Sequence, residues 1–313
     1  MKKEIKMHFL MVVTAFFWAG AFIAGKIGIR EMNPYELTFF RFLFATILIF
    51  AILIKREGNN WRLERSLWPI TVLLGIIGMF GYHILFFTSL KYTSVVNSSI
   101  IGATNPLITT ILGVIFLKES ISLKRAGAIF LALSGVILTV TNGRLSLLMN
   151  LDFNQGDIIM LAAVLCWACY AILGRRPKGK ISPLKLMAYV FLVCLLLMIP
   201  FMIKGQIWNK LSDISLQSWL AALYMAIFPS VVGYLIQMAS IQEIGASRTA
   251  VYINLVPVFS MILSYLILGE VIGWFKILTA GMIIGGVYWS YRLDRKRRQE
   301  VKLYGNRLST TGR

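Results

Sequence analysis

Of the 313 residues, 58% are apolar and 14% charged, against roughly 25% charged in a soluble globular domain. Lysine and arginine outnumber aspartate and glutamate 32 to 13, a formal net charge of +19, but the bases fall in short runs between long apolar stretches. That pattern excludes a soluble enzyme, a disordered tail and a collagen-like rod, and it reads as the positive cytoplasmic loops of a membrane protein and not as a nucleic-acid footprint.

A membrane-crossing helix needs about 20 mostly apolar residues. Ten such stretches follow in chain order: Phe9–Ile29, Pro34–Ile54, Leu67–Leu90, Thr93–Leu117, Leu123–Thr141, Asp157–Leu173, Pro183–Met202, Leu216–Ile241, Ala246–Leu268 and Ile272–Leu293. The first follows Lys2, Lys3 and Lys6. Its apolar core exceeds the roughly 7–15 residues of a cleaved leader, so it reads as a retained helix. Turn and charge signals close the joints, as in Arg30-Glu31-Met32-Asn33-Pro34 and Arg56-Glu57-Gly58-Asn59-Asn60. With the N-terminus inside, 24 of the 32 bases lie on the inner side and 7 on the outer, Arg41 falling within the second stretch. Both termini are therefore expected in the cytoplasm, with the chain in the plasma (inner) membrane. Cys166, Cys169 and Cys194 lie in apolar runs and form no disulfide framework. Cys166-Trp167-Ala168-Cys169 lacks a second cysteine or histidine pair, so neither a metal nor a cofactor is expected.

The chain repeats itself. A shift of 151 residues places Pro106 on Pro257, Ile111-Leu112 on Ile262-Leu263, Leu117 on Leu268, Glu119 on Glu270 and Gly135-Val136 on Gly286-Val287. A shift of 149 places Trp18-Ala19 on Trp167-Ala168, Gly25 on Gly174, Pro34 on Pro183 and Lys26 on Arg175. Each half holds five stretches, an odd number, so the second half must cross the membrane in the opposite sense. Residues 1–145 and 146–293 are thus expected as two inverted five-helix repeats around a central cavity, with 294–313 a basic cytoplasmic tail. Inverted repeats accompany alternating access.

An early Trp and a basic end in each half (Trp18…Lys26, Trp167…Arg175), followed by Pro106…Phe116-Leu117-Lys118-Glu119 and Pro257…Leu268-Gly269-Glu270, resemble the EamA branch of the drug/metabolite transporter superfamily. The likeness covers nearly the whole chain outside the tails; Lys118 departs from the Gly269 of the second half. It implies ten helices around a cavity lined by the first, third, fourth, sixth, eighth and ninth. It also implies export or exchange of small metabolites, often amino acids.

Polar groups inside the membrane are candidates for function. His83 in the third stretch can relay a proton or touch a carboxylate, or it can be a neutral imidazole bonded across helices. Ser98, Gly102, Asn105 and Thr109 share one face of the fourth stretch, either as cavity wall or as small-residue packing. Tyr252 and Asn254 hold the corresponding part of the ninth. Pro106 and Pro257 interrupt their helices, as kinks or by freeing a carbonyl. Tyr234 and Gln237, one turn apart on the eighth stretch, can hydrogen-bond a ligand. Trp18, Trp167 and Tyr170 sit away from the interfacial belt, as cavity walls or as packing. Arg41 pairs with Glu36, reaches the outer surface or binds an anion. Glu119 and Glu270 suit the N-terminus of the helix that follows each.

No phosphate-binding loop is present, and no carboxylate falls in mid-stretch, which disfavours exchange of cationic drugs. Trp18, Tyr82, Trp167 and Tyr252 are expected to shape the cavity, and His83, Asn105, Gln237 and Asn254 to orient the ligand. The resulting expectation is a secondary transporter, not an enzyme, that moves small polar metabolites, amino acids first, with any proton coupling running through His83. A sugar or nucleotide-sugar carrier is the alternative, ahead of a membrane enzyme acting on lipid.

Overall fold

The computed structural model describes residues 2–117, 123–143, 153–174, 177 and 179–311. Among them the chain is built of helices joined by short turns, with no β-strand. The helical segments are α1 (Lys2–Gly28), α2 (Pro34–Glu57), α3 (Arg65–Tyr92), α4 (Val95–Phe116), α5 (Leu123–Thr141), α6 (Gln155–Leu173), α7 (Pro183–Lys204), α8 (Leu216–Ile244), α9 (residues 246–268) and α10 (Trp274–Thr311). By length and composition, seven helices among the described residues can cross a membrane: α1–α4 and α6–α8. The apolar parts of α5 (Ala126–Thr141) and α9 (Tyr252–Leu268) are shorter. The α10 backbone stays helical through the basic tail to Thr311.

Caps set the starts of α2, α4, α6, α7 and α8, within two residues of the starts read from the sequence. The Asn33 side chain accepts from the Tyr35 and Glu36 amides while Glu36 accepts from the Asn33 amide, a capping box closed by Pro34 at the first helical position. Ser182 and Pro183 repeat that start in α7. Ser94, Asn154 and Ser215 cap α4, α6 and α8. Buried threonines are satisfied on their own helices: Thr14, Thr38, Thr71 and Thr139 each donate to the carbonyl four residues back. Large apolar side chains face outward, with Phe116 70%, Phe130 73% and Leu266 69% exposed. That exterior suits hydrocarbon and not water.

Features of the first half recur in the second at the repeat spacing. A wide π-helical turn lies in α3 at Gly75–Gly81 and in α8 at Ala226–Val232, 151 residues apart. The sequence singled out neither. The α4 helix breaks at Ala103–Thr104, and α9 tightens to a 3₁₀ turn at Tyr252–Leu255, again 151 apart. Pro106 and Pro257 therefore do not sit in uninterrupted helix. Each opens the segment after the interruption, where a missing amide N–H is harmless.

Packing follows the same exchange. α1 packs between α8 and α9, as α6 packs between α3 and α4. α2 packs on α7, and α5 on α10, each helix against its own counterpart and antiparallel to it. At one end of the α2–α7 pair Tyr35 stacks on Phe201 at 4.5 Å, and Glu36 lies 4.0 Å from Lys210. At the other end Lys185 lies 3.1 Å from Glu57, which also accepts from Ser182. Glu36 and Lys185 are repeat partners of opposite sign. In the α5–α10 pair, Gly135 meets Met282 and Ile283, and its partner Gly286 meets Ala128 and Ala132.

One end of the molecule gathers the turns at 29–33, 93–94, 205–215 and 269–273. There Glu31 accepts from the Ser215 amide and hydroxyl, both at 2.8 Å. Hydrogen bonds from Ser218 and Ser215 hold its carboxyl below the ordinary range. The opposite end gathers the N-terminus and the turns near 58–64, 179–182 and 245.

Candidate functional site

The site is a cluster of aromatic side chains between α1, α2, α3, α6, α7 and α8, built around the π turns of α3 and α8. Trp18 donates its indole N–H to the Pro229 carbonyl inside the α8 turn at 3.2 Å. On the other side, Tyr170 lies flat on Gly78 of the α3 turn, where a Cβ would meet its ring at 2.2 Å. Gly78 and Pro229 are repeat partners. Trp18 lies 6.0 Å from Tyr234, Tyr234 6.5 Å from Trp167, and Trp167 4.9 Å from Tyr82 and 5.2 Å from Tyr170. Five of the aromatic side chains picked out in the sequence are therefore contiguous.

His83 closes one wall. It is 3% exposed and edge-on to Phe42 and Tyr82 at 4.8 and 4.9 Å. Its Nδ1 lies 2.8 Å from the Met79 carbonyl one turn back, which makes Nδ1 the donor and leaves Nε2 for another partner.

The remaining candidates are dispersed. Ser98 is fully buried against Ser89 of α3, hydroxyl to hydroxyl at 3.3 Å. Asn105 accepts from Thr109 on its own helix at 3.2 Å. Tyr252 meets His8 of α1 at 2.6 Å, toward the end that holds the N-terminus. Gln237 and Asn254 are half-buried, and their side chains make no hydrogen bond among the described residues. Lys118, Glu119 and Arg175 lie outside the described residues.

Two placements differ from the sequence reading, and a third residue escapes it. Arg41 neither pairs with Glu36 nor reaches the surface. It is 6% exposed, and its Nε donates to Ser230 Oγ at 3.0 Å. Glu36 is held by the capping box instead. Helical phase carried the signal, since Arg41 shares a face with Leu37, Ala45 and Ile49, all fully buried. Glu270 caps α4 and not the helix that follows it, accepting from the Val95 and Val96 amides at 2.9 and 3.2 Å, because α9 ends beside the α3–α4 turn. Asp157, unremarked in the sequence, is fully buried in the first turn of α6. It accepts from Thr93 Oγ1 at 2.6 Å and Asn97 Nδ2 at 3.2 Å. Lys26 donates to the Leu90 and Thr93 carbonyls at 2.5 and 2.8 Å, ending α3.

An apolar exterior, long apolar helices and an aromatic interior beside a buried cation define an integral membrane protein of transporter type. The chain belongs to the EamA-like transporter family, which it matches twice, over residues 5–141 and 154–292. A Bacillus subtilis relative, named uncharacterized transporter YyaM, is 35% identical over 285 residues, 91% of this chain and 93% of that protein. An uncharacterized transporter of Archaeoglobus fulgidus is 30% identical over 90% of this chain and 96% of its own. In Escherichia coli K12, the uncharacterized inner membrane transporter YhbE is 26% identical, covering 85% of this chain and 83% of its own. A solved crystal structure aligns with TM-score 0.63 at 19% identity, over 91% of this chain and 98% of that one, which shows a shared fold. The family and these relatives are named as transporters.

Proposed function

We propose that the chain is a secondary transporter that moves a small polar metabolite, an amino acid or a related compound, by alternating access. Ten crossing helices form two inverted five-helix halves, both termini are cytoplasmic, and the aromatic cluster holds the solute near the midplane. The observation that carries this reading is the exchange-symmetric packing: α2 lies antiparallel to α7 and α5 to α10, and the π turns of α3 and α8 recur at the repeat spacing. Two halves of like shape and opposite sense can trade inward-open and outward-open forms. The bases gathered at the N-terminal end support a cytoplasmic place for that end.

Topology is tested by single cysteines at Lys124 and Trp274 in a background freed of Cys166, Cys169 and Cys194. An impermeant maleimide should label them from opposite sides of the membrane; labelling from one side defeats the inverted arrangement. Transport is tested by counterflow of labelled amino acids, sugars and organic cations in proteoliposomes. Saturable exchange of amino acids is expected, and exchange of sugars alone would favour the sugar-carrier alternative. Where exchange responds to a pH gradient, coupling is assigned to His83, whose Nε2 makes no hydrogen bond among the described residues and which lies within electrostatic reach of Arg41. His83→Gln should then flatten the pH profile while leaving exchange at the optimum within about tenfold; an unchanged profile returns His83 to packing.

A further inference from the structure

We infer that Arg41 is the anion-recognition group of this cluster, and that the solute carried bears a single carboxylate. The inference deepens the transport reading and rests on it.

A guanidinium is always charged in a protein and costly to hold away from water unless paired. Arg41 stands one helical turn past Leu37 on the buried face of α2, within electrostatic reach of Tyr82 and Tyr234 of the aromatic cluster. Among the described residues it forms no ion pair, and one of its N–H groups is used, from Nε to Ser230. Ser230 is itself committed to the Met225 carbonyl at 2.8 Å, a bond of the π turn. That bond fixes the roll of the guanidinium and leaves the two η nitrogens without a hydrogen-bond partner among the described residues. The faces of Phe42 and Phe87 lie 5.6 and 6.0 Å from Cζ, which partly offsets the cost of burial. The neighbours within electrostatic reach are Tyr234, Tyr82, Cys194 and His83, none of them an anion at neutral pH. The site therefore holds one uncompensated positive charge with a free planar edge.

The repeat sharpens the point. Arg41 falls on Val190 in the second half and Ser230 on Met79 in the first. In a fold whose packing is otherwise exchanged between halves, this pair has no counterpart, so packing symmetry does not call for it. A planar fork matches a carboxylate in bidentate geometry. A phosphate dianion would call for a second base, and Lys26 is occupied at the far end of α3. Tyr82 and Tyr234 lie within electrostatic reach of the fork, and Trp18 and Trp167 of the same cluster offer apolar walls for the rest of the solute.

The test uses the purified full chain and matched probes: L-leucine with L-leucinamide, lactate with lactamide, glucose, and inorganic phosphate. Counterflow in proteoliposomes reads transport, and thermal stabilisation in detergent reads binding separately. The expected result is that a carboxylate member binds and exchanges, with its amide at least tenfold weaker. Arg41→Gln should weaken the carboxylate about tenfold to a hundredfold, and Arg41→Lys should retain part of the affinity. Binding of a carboxylate without exchange supports the anion site and defeats the transport reading. Exchange of only amides, glucose or phosphate overturns the anion site and leaves transport standing. A folded Arg41→Gln with unchanged carboxylate KM also overturns it. Should Arg41→Gln fail to fold, the carboxylate-to-amide ratio of the unaltered protein decides. Neither binding nor exchange of any probe defeats both.

Discussion

Gly286→Leu should separate α10 from α5 and lower the melting temperature of the detergent-purified protein by several degrees or abolish folding. A Cβ at Gly286 would lie 2.7 Å from the Ala128 carbonyl oxygen and 2.8 Å from the Ala132 nitrogen. Both are backbone atoms, so no side-chain rotation relieves the clash, and the helices must part. Overpacking of this kind costs about 1–3 kcal/mol, and more where backbone must move. In lipid, close approach of helices through small residues supplies much of their attraction, so the loss is felt along the whole contact. The repeat partner Gly135, whose Cβ would meet Ile283 at 2.8 Å and the Thr279 carbonyl at 3.1 Å, should behave alike. Gly285→Leu is the control: Gly285 is exposed and a Cβ there meets nothing within 4 Å. If Gly285→Leu and Gly286→Leu melt together, α5 and α10 do not pack as described.

Gly135 and Gly286 are legible as a repeated pair from sequence alone, and so are the helices, because apolar length, proline and capping residues are local signals. The aromatic partners Trp18 and Trp167 are legible for the same reason. What is not legible depends on the third dimension. A π turn has no composition of its own. Gly75–Gly81 and Ala226–Val232 share position and not sequence, and each is stabilised by what packs into it, Tyr170 on one side and Trp18 on the other. Arg41 looked like a residue near a helix start free to reach the surface, and only the roll of α2 against α7 and α8 turns it inward. Glu270 looked like a cap for its own chain neighbour. The α4 terminus it serves is more than 170 residues away in sequence, and no local pattern could name it. Asp157 was hidden by its place in a first turn, where an acidic residue is ordinary.

Asp157→Ala and His8→Ala should shift the transporter's access in opposite directions. A shift of 149 residues places His8 on Asp157, so the two occupy repeat-equivalent positions, His8 in the second turn of α1 and Asp157 in the first turn of α6. Each ties its helix to the counterpart helix of the packing scheme: Asp157 holds Asn97 of α4, and His8 holds Tyr252 of α9. The two contacts lie at opposite ends of the molecule. The Asp157 contact is the stronger one. It is fully buried, is reinforced by Thr93 and lies beside Glu270 on the α4 terminus. Its removal leaves Thr93 and Asn97 with unmet hydrogen-bonding groups, at a cost of about 1–3 kcal/mol to the state in which that end is closed. A two-state equilibrium responds to a bias of that size by roughly fivefold to a hundredfold. The readout is a cysteine at Gly102, five residues past Asn97, where a Cβ would lie 3.2 Å from the flexible end of Met160, which must give by a few tenths of an ångström. Its labelling by an impermeant maleimide from the Asp157 side should rise several-fold in Asp157→Ala. The same label should fall, or hold steady, in His8→Ala, which loosens the opposite end. Equal labelling in all three proteins would mean that these contacts hold the fold together without gating it.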